Sequence, residues 1–146
     1  MPLENLKLDQ YLADAQATEE HGVTFAAGLE PGHVITLSGT LGAGKTTFTR
    51  GLARGLGYTG DVSSPTFSIL QEYLGGRLPL YHLDFYRLET EDELEAIGYY
   101  DCLEQGGVAV IEWASLFPAA IPSEAIHLHL TEASPEGRYL RIEPQP

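Results

Sequence analysis

The sequence predicts an α/β domain with a mixed, mainly parallel central sheet, and three observations lead to that prediction. Segments with strand and helix patterns alternate along the chain, as they do in α/β folds. The apolar run at 108–111 shows no polar alternation, which is typical of a strand buried on both faces of a sheet. Two extended segments joined by Gly75, Gly76 and Arg77 predict a hairpin, so part of the sheet is antiparallel.

The individual helices and strands are predicted from hydrophobic periodicity and from the residues that interrupt it. The predicted helices cover 14–29, 45–57 and a short segment that opens at Thr90, where Glu93 completes a capping-box pattern. The predicted strands cover Val34–Ser38, 67–74, 78–86, 107–113, 125–130 and 138–143.

Length and composition narrow the class of protein. The 146 residues, 43% of them apolar and 20% charged, suit one globular domain spanning 1–146. No stretch approaches the roughly 20 apolar residues that cross a bilayer, and the N-terminus lacks the apolar core of a signal peptide. We expect the one cysteine, Cys102, to be a buried apolar residue in a cytoplasmic protein.

The net charge of −13 argues against direct nucleic-acid binding, because such proteins need a basic surface to displace counterions from phosphates. Any role in RNA biology would therefore pass through a partner protein that contacts the RNA.

The stretch at 39–46, GTLGAGKT, matches the phosphate-loop pattern G-x-x-x-x-G-K-[ST] between a predicted strand and a predicted helix. Glycines let successive backbone N–H groups point into one concavity, and the helix directs its positive end at the same anion. Lys45 supplies a charge for the phosphates and Thr46 a hydroxyl for Mg²⁺. The residues expected to contact the nucleotide are Gly39, Leu41, Gly42, Ala43, Gly44, Lys45 and Thr46.

A phosphate loop also needs an acid near its metal, usually at the end of a buried strand. Glu112 ends the most apolar strand and is our first candidate as a metal ligand. Asp84, in a more mixed strand, could contact a metal-bound water or orient the attacking water. His82 could share the face of Asp84 and is more often a hydrogen-bonded structural residue in such a place.

Two further features leave alternatives open. Trp113 follows Glu112 and either fills the core or forms a wall of the nucleotide site. The segment at 63–67, SSPTF, is either a polar turn or a nucleotide-sensing switch in which the hydroxyls of Ser63, Ser64 and Thr66 reach the γ-phosphate or the attacking water.

His127 and His129 alternate with apolar residues, so we expect them to face solvent on an outer strand. Two histidines on one strand face could bind a metal, but no third ligand is apparent.

Three classes of nucleotide-binding protein can be weighed from the residues. A GTPase should carry an N-K-x-D motif, and the only asparagine is Asn5, outside any such context. A small-molecule kinase needs an acceptor pocket and arginines over the transferred phosphate, and the chain has six arginines and no arginine-rich segment. An ATPase that acts on a partner protein fits a small acidic domain without a substrate pocket best, and the kinase remains the alternative.

Five segments together resemble the TsaE family, the ATPase components of the bacterial machinery that makes threonylcarbamoyladenosine at position 37 of tRNAs reading ANN codons. They occur in the family's order over roughly 14–122. The segments are LSGTLGAGKTTFTRGLARGLG, SSPTFSILQEY, LYHLDFYRL, ELEAIG and VAVIEW.

The resemblance implies a P-loop NTPase-like three-layer sandwich that binds ATP and Mg²⁺ and associates with the TsaB–TsaD heterodimer. It implies phosphate-loop roles for Lys45 and Thr46 with Thr47 beside them, and Mg²⁺ contact for Glu112. It further implies that Asp84 is important for hydrolysis. Two more residues come from the resemblance: Trp113 near the nucleotide and Thr18 near the base.

Two positions depart from the family pattern. Thr40 stands where an acidic residue is common, and Ala114 replaces a frequent proline. Neither change removes a group that the chemistry requires.

The low arginine count implies that the chain supplies no arginine to the transition state, so we expect slow hydrolysis alone and faster turnover with TsaB–TsaD.

Overall fold

The computed structural model describes residues 9–40, 44–63 and 69–143, and within these ranges seven strands form one sheet. Its spatial order is β1-β7-β6-β2-β5-β4-β3. The strands are Asp9–Leu12 (β1), Val34–Ser38 (β2), Leu70–Tyr73 (β3), Leu80–Asp84 (β4), Val108–Glu112 (β5), Ile126–Glu132 (β6) and Arg138–Ile142 (β7).

The sheet is parallel at its centre and antiparallel at both sides. Strands β6, β2, β5 and β4 run parallel to one another. The hairpin partners β3 and β4 are antiparallel, as are β6 and β7, and β1 joins β7 antiparallel. The predicted mixed sheet is therefore confirmed, including the hairpin closed by Gly75 and Gly76 and the buried interior strand β5.

Helices α1 (Ala15–Ala26) and α2 (Lys45–Gly55) pack against each other through glycines. A Cβ atom at Gly51 would overlap the carbonyl oxygen of Glu19, and one at Gly22 would lie 2.5 Å from the carbonyl oxygen of Phe48. Because only glycine permits so close an approach, the first two turns of α2 are held beside α1.

Two apolar cores lie on opposite faces of the sheet and make the predicted three layers. Phe25 and Phe48 belong to the core beneath α1 and α2. The opposite core is covered by α3 (Asp92–Ala96) and α4 (Tyr99–Glu104), with Tyr99 fully buried and its hydroxyl donating to the carbonyl of Ala120 at 2.9 Å. Cys102 is buried in this second core, as predicted.

Three local predictions differ from the structure. Helix α1 ends at Ala26 rather than 29, and its N-cap Asp14 accepts a hydrogen bond from the Ala17 N–H. Helix α3 has Glu91 rather than Thr90 as its N-cap. Half of the predicted capping box is present, since the Glu93 carboxylate accepts the backbone N–H of Thr90 at 3.3 Å. Strand β1 and helix α4 were not predicted, since both are short and carry weak periodicity.

The prediction that His127 and His129 lie on an outer strand is wrong, because β6 sits between β2 and β7. Their Nδ1 atoms are hydrogen-bonded to two hydroxyls of the neighbouring strand β2: His127 to that of Thr36, at 2.5 Å, and His129 to that of Ser38.

Within the described ranges, no helix combines the length and apolarity that crossing a membrane requires.

Candidate functional site

The candidate site lies where three parallel strands end at one edge of the sheet. Strand β2 ends at Ser38 just before the glycine-rich stretch, and its neighbour β5 ends at Glu112. Strand β4 is next along the sheet and ends at Asp84, which is directly opposite Glu112 in the register. Open α/β sheets bind ligands at this edge, so the topology brings the two predicted acids to the start of α2.

A cavity of about 840 Å³ opens at this edge. It is lined by most of the predicted site residues that the structure describes. These are Thr18, Gly39, Gly44, Lys45, Thr46, Thr47, Asp84, Glu112 and Trp113. Five predicted residues, Leu41, Gly42, Ala43, Ser64 and Thr66, lie outside the described ranges.

The start of α2 has the features of an anion site. Gly44, its N-cap, has a φ of 98°, a left-handed conformation that favours glycine, and it contributes no side-chain cap. The first-turn N–H groups of α2 therefore have no capping side chain at the cavity, where the positive end of the helix dipole favours phosphate.

Lys45 and Glu112 form an ion pair inside the site, with 3.2 Å between Lys45 Nζ and Glu112 Oε1. Glu112 is only 5% exposed. Burial would raise the pKa of the Glu112 carboxyl, but the hydrogen bond and charge of His82 and the charge of Lys45 outweigh it and hold that pKa below its usual value. Glu112 is therefore an ionised carboxylate in a largely dry setting.

His82 makes the second contact to Glu112. Its Nε2 atom lies 2.6 Å from Glu112 Oε2, and the imidazole is fully buried. The prediction of a hydrogen-bonded His82 is thus confirmed. Its partner could not be predicted from the sequence, since the two residues are 30 positions apart.

Asp84 is also nearly buried, at 5% exposure, and one of its oxygens accepts the backbone N–H of Tyr86 at 2.9 Å. Burial raises the pKa of the Asp84 carboxyl, and the nearby charge of Glu112 acts in the same direction. The strand that carries it is buried at all five positions, so it is less mixed than the sequence predicted.

The donor set fits a hard cation such as Mg²⁺. The cavity lining carries the carboxylates of Asp84, Glu112 and Glu136 against the cationic side chains of Lys45 and Arg138. The lining can therefore accept further positive charge, and oxygen ligands are those that Mg²⁺ prefers. Within the described part of the chain no cluster of three or more histidine, cysteine or acidic side chains could hold a metal. A Mg²⁺ ion here would need phosphate and water oxygens to complete its coordination, as is usual for this ion.

Trp113 lies at the rim of the cavity rather than in the core. It is 47% exposed, adopts a left-handed φ of 60°, and its ring centroid lies 5.0 Å from that of Tyr86. Of the two alternatives left open by the sequence, the structure favours a wall of the site over a core residue.

Arg138 lines the same cavity, where the sequence predicted no arginine of the chain's own. A Cβ atom at Gly44 would lie 3.8 Å from Arg138 Cγ and 3.6 Å from Thr18 Cγ2, so both side chains border the start of α2. The Arg138 guanidinium donates from Nη1 to the carbonyl of Gly137 at 2.8 Å. Arg138 begins an ordinary strand, and no local pattern marks it as a site residue.

A second cavity of about 560 Å³ shares Gly39, Lys45 and Trp113 with the first. Its polar wall includes His129, whose Nε2 lies 2.8 Å from Glu143 Oε1. The sequence predicted a domain with no substrate pocket of its own, and this second cavity lies beside the candidate site. The pocket arises because the loop at 113–123 stands over the β2–β6 face of the sheet.

Comparison with known proteins gives a consistent result. The family model described as "Threonylcarbamoyl adenosine biosynthesis protein TsaE" matches residues 12–140. A Bacillus subtilis protein named tRNA threonylcarbamoyladenosine biosynthesis protein TsaE is 49% identical over 113 residues, which is 77% of this chain and 70% of that protein. A Nostoc protein of the same name is 40% identical over 151 aligned positions, covering 99% of this chain and 93% of the relative.

The fold is also similar to a solved structure. The crystal structure of Bacillus subtilis YdiB superposes with a TM-score of 0.78 at 37% sequence identity. The match covers 95% of this chain and 86% of the other.

Proposed function

The chain belongs to the TsaE family of tRNA threonylcarbamoyladenosine biosynthesis, and on that premise we propose that it is a Mg²⁺-dependent ATPase acting with the TsaB–TsaD heterodimer. The observation that carries the proposal is the convergence of Lys45, Glu112 and Asp84 at the start of α2, in one cavity. A lysine, two strand-end acids and a helix N-terminus are the groups that P-loop ATPases use on a triphosphate.

Each residue has a role that its position supports. Lys45 and the first-turn N–H groups of α2 bind the β- and γ-phosphates. Thr46, Glu112 and Asp84 would hold Mg²⁺, directly or through water, and the bound ion would supply charge neutralisation at the phosphates. Asp84 orients the attacking water. Trp113 stands at the rim of the same cavity, beside the nucleotide.

Thr18 and the phosphate-loop residues complete the nucleotide contacts. Thr18 is buried in α1 and lies beside Gly44, which Arg138 also borders. We propose that it lies near the base, with Thr47 close to the phosphates.

The partners follow from the family and from charge. A chain with a net charge of −13 is repelled by RNA over most of its surface, so tRNA contact is assigned to TsaB–TsaD. We place the protein in the cytoplasm, with residues 1–146 acting as one ATPase domain. The heterodimer speeds a hydrolysis that is slow in the isolated chain, because a partner can complete the set of groups around the transition state.

The test is ATP hydrolysis by the purified chain, with and without TsaB–TsaD and tRNA. Lys45→Ala should abolish hydrolysis in both settings. Arg50→Ala removes a positive charge from the same helix, where Arg50 faces Glu19, and should leave the rate near that of the native protein. Full activity of the isolated chain with no response to TsaB–TsaD would refute the partner role, and activity retained by Lys45→Ala would refute the site.

A small-molecule kinase is the second candidate, and the cavity of about 560 Å³ beside Lys45 is the observation that favours it. A kinase would consume ATP only with an acceptor present and would yield a phosphorylated small molecule. The ATPase releases inorganic phosphate without one, so following both products by phosphorus NMR separates the two functions.

A further inference from the structure

We propose that His82 is a positioning residue of the nucleotide site: it fixes one oxygen of Glu112 so that the other stays directed at the lysine and the phosphates. The inference deepens the proposed function and rests on it. His82 belongs to no part of the site predicted from the sequence, where it was expected to be structural.

The contacts of Glu112 are divided between its two oxygens. His82 Nε2 lies 2.6 Å from Oε2, while Lys45 Nζ lies 3.2 Å from Oε1. One partner comes from the middle of β4 and the other from the first residue of α2. The carboxylate is therefore held from two sides, and its rotation is restricted before any ligand binds.

The surroundings of His82 identify it as the hydrogen-bond donor of the pair. Its Nδ1 atom is buried and has no hydrogen-bond partner among the described residues. A proton on Nδ1 would leave a buried N–H donor unsatisfied, whereas a proton on Nε2 is used by Glu112. Nε2 is therefore the atom that donates to Glu112 Oε2, and no described group uses Nδ1.

Burying an imidazole with one unpaired nitrogen costs folding free energy, which a residue with only a packing role would not need to do. His82 is 0% exposed, and Leu80, two positions earlier on the same strand, belongs to the apolar core under α1 and α2. An aliphatic side chain there would bury no unpaired nitrogen. The one polar contact that the His82 side chain makes within the described ranges is with Glu112, so the function of the imidazole lies in that contact.

The two contacts differ in what happens to them when a nucleotide binds. Lys45 has to turn towards the phosphates, which releases Oε1 for the metal. His82 has no route to the phosphates, because it is enclosed in the sheet, so its hold on Oε2 persists. Residues that orient ligating carboxylates in this way typically change metal affinity or activity by about 10- to 100-fold when they are removed.

The experiment compares His82→Leu with His82→Gln, using Tyr81→Phe as a control on the same strand with its side chain in the opposite core. Fluorescence of Trp113, the only tryptophan, reports binding of a non-hydrolysable ATP analogue in EDTA and in Mg²⁺. Mn²⁺ binding in the presence of the analogue is followed separately by electron paramagnetic resonance.

The metal-dependent gain is the ratio of the affinity for the analogue in Mg²⁺ to its affinity in EDTA. We expect this gain to be about 10- to 100-fold smaller in His82→Leu than in the native protein. The affinity in EDTA should change less than about threefold. His82→Gln can place an amide N–H near the former Nε2 and should retain most of the gain. Tyr81→Phe should match the native protein. If His82→Leu does not fold, His82→Asn, whose amide is too short to reach Glu112, takes its place with the same expected loss.

Two results would overturn the inference: an undiminished metal-dependent gain in His82→Leu, or an equal loss in EDTA and in Mg²⁺ that glutamine does not rescue. The second result would mark His82 as a purely structural residue. A native protein that gains no affinity from Mg²⁺ would refute the proposed ATPase site as well, so failure of the inference and failure of the function are distinguishable.

Discussion

Lys45 and Glu112 are ion-paired across the sheet edge, with 3.2 Å between Nζ and Oε1, so the lysine of the phosphate loop is already engaged in the free protein. A phosphate has to compete with Glu112 for this ammonium group. The pair keeps both charges in place in a partly dry site, and a metal that takes over Glu112 would release Lys45 for the nucleotide.

Glu112→Ala should therefore change nucleotide binding differently in the presence and in the absence of metal. We expect about tenfold weaker binding of an ATP analogue in Mg²⁺, because a ligand of the metal is lost. Binding in EDTA should be unchanged or stronger, since Lys45 no longer has a competing partner. Isothermal titration in both buffers measures the difference. Equal losses in the two buffers would count against metal ligation by Glu112.

Asp84→Asn should make the free protein more stable while stopping hydrolysis. Burial raises the pKa of Asp84 above its ordinary 3.8, so the ionised form costs stability at pH values above the raised pKa. That cost is absent below the unfolded-state pKa. The variant should melt a few degrees higher than the native protein near pH 7 in EDTA, and the gain should vanish as the pH falls to about 3.8.

Asparagine keeps an oxygen for the Tyr86 N–H, so the comparison isolates the charge. Asp61→Asn, at an exposed position, is the control and should not change the melting temperature. A lower melting temperature for Asp84→Asn would contradict the assignment of Asp84 as a strained, functional carboxylate.

Arg138→Ala should weaken nucleotide binding by about 10- to 100-fold, the range expected for loss of a charge-assisted hydrogen bond. Arg138 borders the cavity beside Gly44, whereas Arg141, on the same strand, is exposed and does not line it. Arg141→Ala is thus the matched control, with an unchanged dissociation constant. The same loss in both variants would indicate a general effect of charge.

Gly51→Ala should destabilise the fold and the site together. The added Cβ would overlap the Glu19 carbonyl, so α1 and α2 would have to move apart. Overpacking of this kind costs about 1–3 kcal/mol, which chemical denaturation can measure. Arg50→Ala, on an exposed face of α2, should cost far less. A Gly51→Ala protein of native stability would show that the close helix contact is not required.

Cys102 should be unreactive in the folded protein. It is 6% exposed, and burial raises the pKa of its thiol, which lowers the fraction of reactive thiolate. We expect an aromatic disulfide reagent at pH 8 to modify it at least about tenfold more slowly in the native state than in guanidinium chloride. Similar rates in both conditions would place the thiol at the surface.

The sequence predicts the parts of the fold that depend on local pattern. Strand β2, helix α2 and strand β5 are recognisable because periodicity, glycine and buried apolar runs act over a few residues. Strand β1 escapes recognition because it is four residues long and half polar, and pairing with β7 is what makes it a strand.

The order of strands in the sheet cannot be predicted from alternation alone, and His127 and His129 illustrate this. Their alternation with apolar residues predicts one polar face of the strand, and the structure shows that face. The alternation does not reveal that β6 is an interior strand or that its polar face forms a cavity wall. The site divides in the same way: its motif residues are local, whereas the contacts of His82 and Arg138 arise from packing between distant segments.

The central claim is that Lys45, the start of α2, Glu112 and Asp84 together bind a triphosphate and its metal. A crystal structure with Mg²⁺ and a non-hydrolysable ATP analogue tests it most directly. We predict phosphates against Lys45 and the first turn of α2, with the metal between them, Thr46 and the two carboxylates. A nucleotide bound elsewhere, with the Lys45–Glu112 pair intact and the cavity holding only water, would contradict it.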